Sequence, residues 1–313
     1  MKSDRALAFA AFATVCIVWG TTYLAIRIAV ETIPPMLLTA IRFTIAGVLI
    51  FIIARWRGER VPLDRRTLFN LAVIGFLMVA VGNLAVVWAE QWVPSGMAAL
   101  LVATAPFWMA ILEAFRPGGE RLDVRGAIGM LIGFLGVGLL VTPRGGSPID
   151  MHFIAGAIAI QIGSLAWQLG SIRGKYAIKH VPLLTSAALQ MLFGGVIVGT
   201  IGLAIGESSR FVVTPRTFAA LAYLTIFGSI LAYSAYVYAL AHMRTTHMSL
   251  YAYINPLVAV ILGWAILGES LTVVSIVAMG VILAGVALVQ TSRNKPPAPA
   301  SNQVTAEKSA ARA

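Results

Sequence analysis

The stretch WGTTYLAIRIAVETIPPMLLTAIRFTIAGV, Trp19 to Val48, lies over WQLGSIRGKYAIKHVPLLTSAALQMLFGGV, Trp167 to Val196. At an offset of 148 residues Trp19 meets Trp167, Arg27 meets Lys175, Pro34 meets Pro182, Arg42 meets Gln190 and Gly47 meets Gly195. The match continues at offsets of 150 and 149. Asn83, Trp88 and Pro106 fall on Tyr233, Tyr238 and Pro256, Gly119–Glu120 on Gly268–Glu269, and Gly136 on Gly285. A near-constant offset over so much sequence makes the chain a tandem repeat of one unit.

That unit is built for lipid. Of 313 residues 59% are hydrophobic and 11% charged, and the mean hydropathy is +0.88; a soluble domain carries about 25% charged residues. Apolar runs of about 20 residues can each cross a hydrocarbon core about 30 Å thick at about 1.5 Å per residue. They predict ten segments, at about 6–29, 35–54, 67–90, 95–115, 124–143, 153–174, 183–206, 216–241, 247–267 and 272–291. Backbone groups in lipid must be satisfied within the segment, so helices are the expected form. The period-2 alternation of a membrane barrel is absent. The expected fold class is an all-α polytopic membrane protein.

Lysine and arginine set the orientation. With the N-terminus in the cytoplasm, eighteen of them fall in inner loops and tails, while Arg144, Arg210 and Arg216 alone fall in outer loops. This bias places both termini inside. The expected organisation is a cytoplasmic N-terminus (1–5), a first five-segment unit (6–143), an external linker (144–152), a second five-segment unit (153–291) and a disordered Pro/Ala-rich cytoplasmic tail (292–313). Five is odd, so the second unit enters from the opposite side. Ten transmembrane helices then form two inverted five-helix repeats, a transporter arrangement whose site lies near mid-membrane between the halves. The net charge of +11 is a topology signal, and nucleic acid is not expected as a partner. Lys2 and Arg5 precede an apolar run, Ala6 to Ala29, that is too long for a signal-peptide core and reads as a retained first helix. Cys16, the one cysteine, permits neither an internal disulfide nor a thiolate metal cluster.

Particular residues carry a family likeness: Trp19–Gly20 in segment one, Arg42 in segment two, Pro106 and Pro256 midway through four and nine, and Gly268–Glu269 after nine. In these, and in its doubled ten-segment pattern, the chain resembles the EamA-type transporters of the drug/metabolite transporter superfamily. The resemblance implies export or exchange of small metabolites, amino acids or drugs across the bacterial inner membrane. It also implies that segments one, three, four, six, eight and nine line the cavity. The chain departs from the pattern where the first-half Gly-Glu is stretched into RPGGERL and where Gln190 stands in place of a second arginine. The partners expected are a small-molecule substrate and the lipid bilayer, with a second copy of the chain as an option. No cofactor and no metal is called for.

Residues three or four apart share a helix face. Trp19, Tyr23 and Arg27 do so in segment one; Gln161, Ser164, Gln168, Ser171 and Lys175 in six; Ser229, Tyr233 and Tyr236 in eight; His247, Tyr251 and Asn255 in nine. In segment three, Asn83 and Glu90 stand two turns apart. Unsatisfied polar groups in lipid are costly, so these stripes are expected to face one another across a wet cavity. The substrate-binding candidates are Trp19, Tyr23, Asn83, Gln161, Ser164, Gln168, Tyr233, Tyr251 and Asn255. For any one of them, interhelical hydrogen bonding without a substrate is the competing reading. Pro106 and Pro256 each remove a backbone bond and read as a two-fold-related pair of helix breaks flanking the site. Arg42, deep in a segment, needs a partner. Glu90, helix carbonyls and an anionic substrate group are the choices, with a structural role for Arg42 and Glu90 preferred. Arg27 and Glu31 are expected to pair at the outer rim and Glu113 to snorkel. The glycines at 126, 129, 133 and 136, and at 195, 199, 202 and 206, form smooth ridges for close packing.

The sequence holds no GxxxxGK[ST], HExxH or GxSxG and no paired membrane aspartates, so the usual signatures of ATP use and of intramembrane hydrolysis are missing. A secondary transporter is the leading reading. A membrane scaffold or assembly subunit without transport is the alternative, with an intramembrane enzyme further behind.

Overall fold

The computed structural model describes residues 2–62, 64–116, 123–141, 150–243, 245–248, 251–270 and 272–292. Gly119–Glu120, most of the expected linker and the tail beyond Ser292 lie outside the described residues. Among the described residues, regular structure is helical throughout. Seven helices among these residues are long and apolar enough to cross a membrane: Ala6–Ala29, Pro35–Trp56, Arg65–Ala89, Ser95–Phe115, Met151–Ala177, Leu183–Ala204 and Pro215–His242. Val124–Leu139, Ile254–Leu267 and Val273–Val289 are shorter apolar helices at the places of segments five, nine and ten.

Proline opens four of the long helices, as N-cap Pro34, Pro94 and Pro182 and as the first residue Pro215. Its fixed φ suits a first turn, but a proline N-cap has no side chain to receive the free amides behind it. Those amides are met from the other half of the chain. Gly58, Gly206 and Gly268 have φ of +78°, +81° and +66°, the left-handed turn that glycine adopts without strain just past a helix end. Each is followed by a glutamate. Glu59 accepts from Thr185 N and Thr185 Oγ1, both at 2.8 Å. Glu207 accepts from Leu37 N at 3.0 Å and Met36 N at 3.4 Å. Glu269 accepts from Ser95 N at 2.7 Å and Gly96 N at 3.1 Å. A carboxylate at a helix N-terminus also meets the positive end of the helix dipole.

Gly58–Glu59 and Gly206–Glu207 stand 148 residues apart, so segments two and seven clip each other reciprocally. Their glycines let the two helices close antiparallel. Gly202 lies against Met36, Gly199 against Ala40, Gly195 against Thr44, and Gly47 against Ala188 and Leu192. Segments five and ten pair the same way, Gly129 on Gly285 and Leu288, Gly136 on Ile282 and Ala278. A methyl on Gly285 would stand 2.5 Å from Gly129 O and from Gly133 N. Of the ridges read from the sequence, Gly129, Gly136, Gly195, Gly199 and Gly202 are in use as helix contacts, while Gly206 stands past its helix end with nothing within 4 Å of a new methyl.

Segments three and eight share a departure with no sequence signal. Phe76–Asn83 and Leu224–Leu231 are both π-helical and eight residues long. The wider turn is rare and recurs near functional sites. The matched prolines, by contrast, do not make matched breaks. Segment four divides into Ser95–Val102 and Ala105–Phe115, with Pro106 in the first turn of the second piece, where its missing N–H has no helical partner to lose. Pro256 stays inside the helix Tyr251–Leu267. There its missing N–H frees the carbonyl of Ala252, four residues back. With its nitrogen facing them, Asn255 donates to Cys16 O at 2.9 Å and Tyr251 O at 3.1 Å.

Candidate functional site

Where the halves meet, segments one, two, three, four, six and nine enclose a cavity of about 80 Å³. Trp19 and Tyr23, one turn apart, supply the wall from segment one. Asn83, at the end of the first π-helical stretch, supplies it from segment three. Ser164 and Gln168 face it from segment six, Tyr251 and Asn255 from segment nine. Seven of the nine residues picked from helical spacing therefore share one space. Arg42 joins them from segment two and is 2% exposed.

Two of the nine do other work. Gln161 holds the break in segment four together: its Oε1 accepts from Thr104 Oγ1 at 2.8 Å and Trp108 Nε1 at 3.0 Å, and its Nε2 donates to Leu101 O at 3.0 Å. Tyr233 is wholly buried and donates to Gln190 Oε1 at 2.9 Å. Segment eight adds no wall to this cavity. Glu90 is fully buried outside it, with both carboxylate oxygens unpartnered, and forms no ion pair with Arg42. Arg42 instead donates from Nε to Ser229 Oγ at 2.7 Å and lies 4.7 Å from the centre of the Phe43 ring. The expected Arg27–Glu31 pair is likewise replaced. Arg27 donates to the backbone carbonyl of Glu90, while Glu31 meets Arg216 at 3.2 Å across the halves. Glu113 does not snorkel; it is 2% exposed, bonded to Arg116 at 2.8 Å and to Thr245 Oγ1 at 3.2 Å. Arg216 and Thr245 come from other helices, which spacing along one helix does not reveal, whereas Arg116 stands three residues from Glu113 and was open to that reading.

Below Trp19 the cavity is closed by aromatic rings. Trp19 stands edge-on to Trp167 at 5.3 Å and to Tyr251 at 5.2 Å, and tilted on Tyr236 at 5.1 Å. Trp167 Nε1 donates to Tyr236 Oη at 3.1 Å, and the Tyr236 and Ser171 hydroxyls are bonded at 2.7 Å. Trp19 Nε1 donates to Gly228 O at 3.1 Å. Edge-to-face pairs of this kind add about 0.5–1.5 kcal/mol each beyond their burial. On the far side of Tyr236 lies a second cavity of about 400 Å³, bounded by Ser171, Lys175, Lys179 and Gln190. Trp167 and Thr22, both on the wall of the first cavity, were not among the candidates; the repeat match of Trp167 to Trp19 was the signal that could have found it. Among the described residues no cluster of metal-ligating side chains occurs.

This arrangement, two helical units around a polar and aromatic cavity, suits a membrane transporter. Both units match the family profile described as the EamA-like transporter family, over residues 6–142 and 154–291, and the chain belongs to that family. It is 38% identical over 283 residues to the Escherichia coli protein named "Uncharacterized inner membrane transporter YedA", covering 90% of each chain. To Protein PecM of Dickeya dadantii it is 27% identical over 276 residues, 87% of this chain and 89% of that one. To "Uncharacterized transporter YoaV" of Bacillus subtilis it is 21% identical, over 87% and 93% of the two chains. A solved crystal structure superposes with a TM-score of 0.68 at 21% identity, over 94% of this chain and 98% of that one, a likeness of fold.

Proposed function

We propose that the chain is a secondary transporter of the bacterial inner membrane that exports or exchanges a small solute by alternating access. In this reading ten segments cross the bilayer as two inverted repeats, 6–143 and 153–291, joined by an external linker at 144–152. The N-terminus (1–5) and the tail (292–313) lie in the cytoplasm. Trp19, Tyr23, Asn83, Ser164, Gln168, Tyr251 and Asn255 form the binding cavity, and Gln161, Tyr233, Pro106 and Pro256 shape its walls. The observation that carries the reading is the pair of cavities divided by one aromatic layer, Trp19, Trp167, Tyr236 and Tyr251. A path interrupted by so thin a layer suits a carrier that opens to one side at a time. The antiparallel pairing of segments two and seven and of five and ten supports the inversion. The name of the Escherichia coli relative supports the location.

Counterflow of radiolabelled metabolites in proteoliposomes tests the proposal. Saturable, trans-stimulated flux of at least one panel solute is the expected result. Conductance without saturation would make the protein a channel, and no flux from folded, reconstituted protein would leave it a scaffold. Labelling of single cysteines tests the topology, which fails if Arg57→Cys or Lys295→Cys reacts with an impermeant reagent from the periplasm.

A further inference from the structure

Of the described residues lining the central cavity, Arg42 is the one charged group, and none of them is a carboxylate. Its guanidinium is only partly engaged. Nε is held by Ser229 and the plane lies near the Phe43 ring, while Nη1 is buried with no hydrogen-bond partner. Gly228 gives the group its berth: a methyl there would stand 2.9 Å from Arg42 Nη2. Gln168 Nε2, on the same wall and 1% exposed, makes no hydrogen bond of normal geometry, the Tyr251 hydroxyl being its neighbour. Buried donors left unmade are expensive, and a charged one most of all. A purely structural arginine would spend its donors on helix carbonyls or on Glu90, and this one does neither.

We propose that the cavity recognises an organic anion, its carboxylate or equivalent oxyanion taken by Arg42 with Gln168 as a neutral second donor. This deepens the transporter reading and rests on it for the site's purpose. The fork of a guanidinium suits two oxygens on one carbon, and a cavity of single positive charge rejects cations. Asn83 Oδ1, a buried acceptor without a partner on the same wall, is placed for a hydroxyl or N–H of the same molecule. Trp19, Trp167 and Tyr251 face its apolar part. The repeat mate of Arg42 cannot do this, because Gln190 already binds Tyr233 and Ser186.

The test is calorimetric titration of the full purified chain in detergent with two isosteric pairs, benzoate against benzamide and propanoate against propanamide. The expected result is that each acid binds roughly tenfold or more tighter than its amide. Arg42→Gln should abolish that preference, and Arg42→Lys should keep part of it. Should Arg42→Gln fail to fold, Gln168→Leu serves as the second variant and should weaken both acids and narrow their preference, the charge-assisted bond of the removed pair being the stronger. No preference for the acids in the wild type, or a preference undiminished in Arg42→Gln or in Gln168→Leu, overturns the proposal. Transport plays no part in the titration. Counterflow of neutral solutes without acid preference would sink the anion site and leave the carrier standing. An Arg42-dependent preference without counterflow of any solute would do the reverse.

Discussion

The helix pairs at the flanks and the cavity at the centre use the same repeat in opposite ways. At the flanks each half does to the other what the other does to it: Glu59 caps segment seven and Glu207 caps segment two, and glycines from both sides close each pair. At the centre the mates diverge. Arg42 faces the cavity while Gln190 is bonded to Tyr233. Trp19 donates to a backbone carbonyl and Trp167 to Tyr236. Pro106 opens a new helix while Pro256 sits within one. The two halves stay alike where they build the scaffold and diverge around the cavity.

The harshest way to break this contrast is at the flank. Gly285→Leu forces a side chain onto the backbone of Gly129 and Gly133 and should destabilise by about 3 kcal/mol, the upper end for overpacking. It should appear as loss of monodisperse protein on size-exclusion. Gly280→Leu, with nothing within 4 Å of a new methyl, is the control and should be neutral. Next come the reciprocal clips. Glu59→Ala and Glu207→Ala should each cost about 1–2 kcal/mol, the range of a lost cap, with matching falls in thermal midpoint. A large inequality between the two would mean that the flank is not symmetric in energy. Central changes should spare folding and touch transport. Gln168→Ala removes a donor worth about 0.5–1.5 kcal/mol and should weaken transport roughly 2- to 10-fold. Leu139→Ala, at a residue 40% exposed, should leave apparent affinity alone. If instead Leu139→Ala alters the kinetics and Gln168→Ala does not, the cavity is misplaced. The smallest effect belongs to the exposed cross-half pair Arg216–Glu31. Glu31→Gln should shift stability by less than about 1 kcal/mol, seen only as a small salt-dependent change in thermal midpoint.

Much of the site was legible because a helix face repeats every three or four residues. Trp19 with Tyr23, Ser164 with Gln168, and Tyr251 with Asn255 each arrive in the cavity as i, i+3 or i+4 sets. What spacing cannot tell is which neighbour stands opposite. Gln161 belongs to the same stripe as Ser164, yet it meets the opened turn of segment four and becomes a brace. Glu90 and Arg42 look like partners in sequence but lie on helices whose approach leaves them apart. The π-helical stretches FLMVAVGN and LTIFGSIL share no residue pattern that would mark them, since their extra residue per turn is set by packing. The Gly-Glu clips were half visible. Gly268–Glu269 stood out in the sequence, but its likeness to Gly58–Glu59 and Gly206–Glu207 emerges only when all three are seen receiving amides from the opposite half.

Those clips bear on how the protein is made. The ribosome delivers the first half with the amides of Leu37 and Ser95 still waiting, and their glutamates lie 170 and 174 residues further on. Only Glu59 is synthesised ahead of the helix it caps. A chain stalled at the end of its first half, near residue 143, thus holds five hydrophobic segments, two of them with N-terminal amides still uncapped. Such a half has reason to linger at the insertion machinery until its counterpart arrives. By the same token, the two halves expressed as separate polypeptides carry complementary ends through which to find each other.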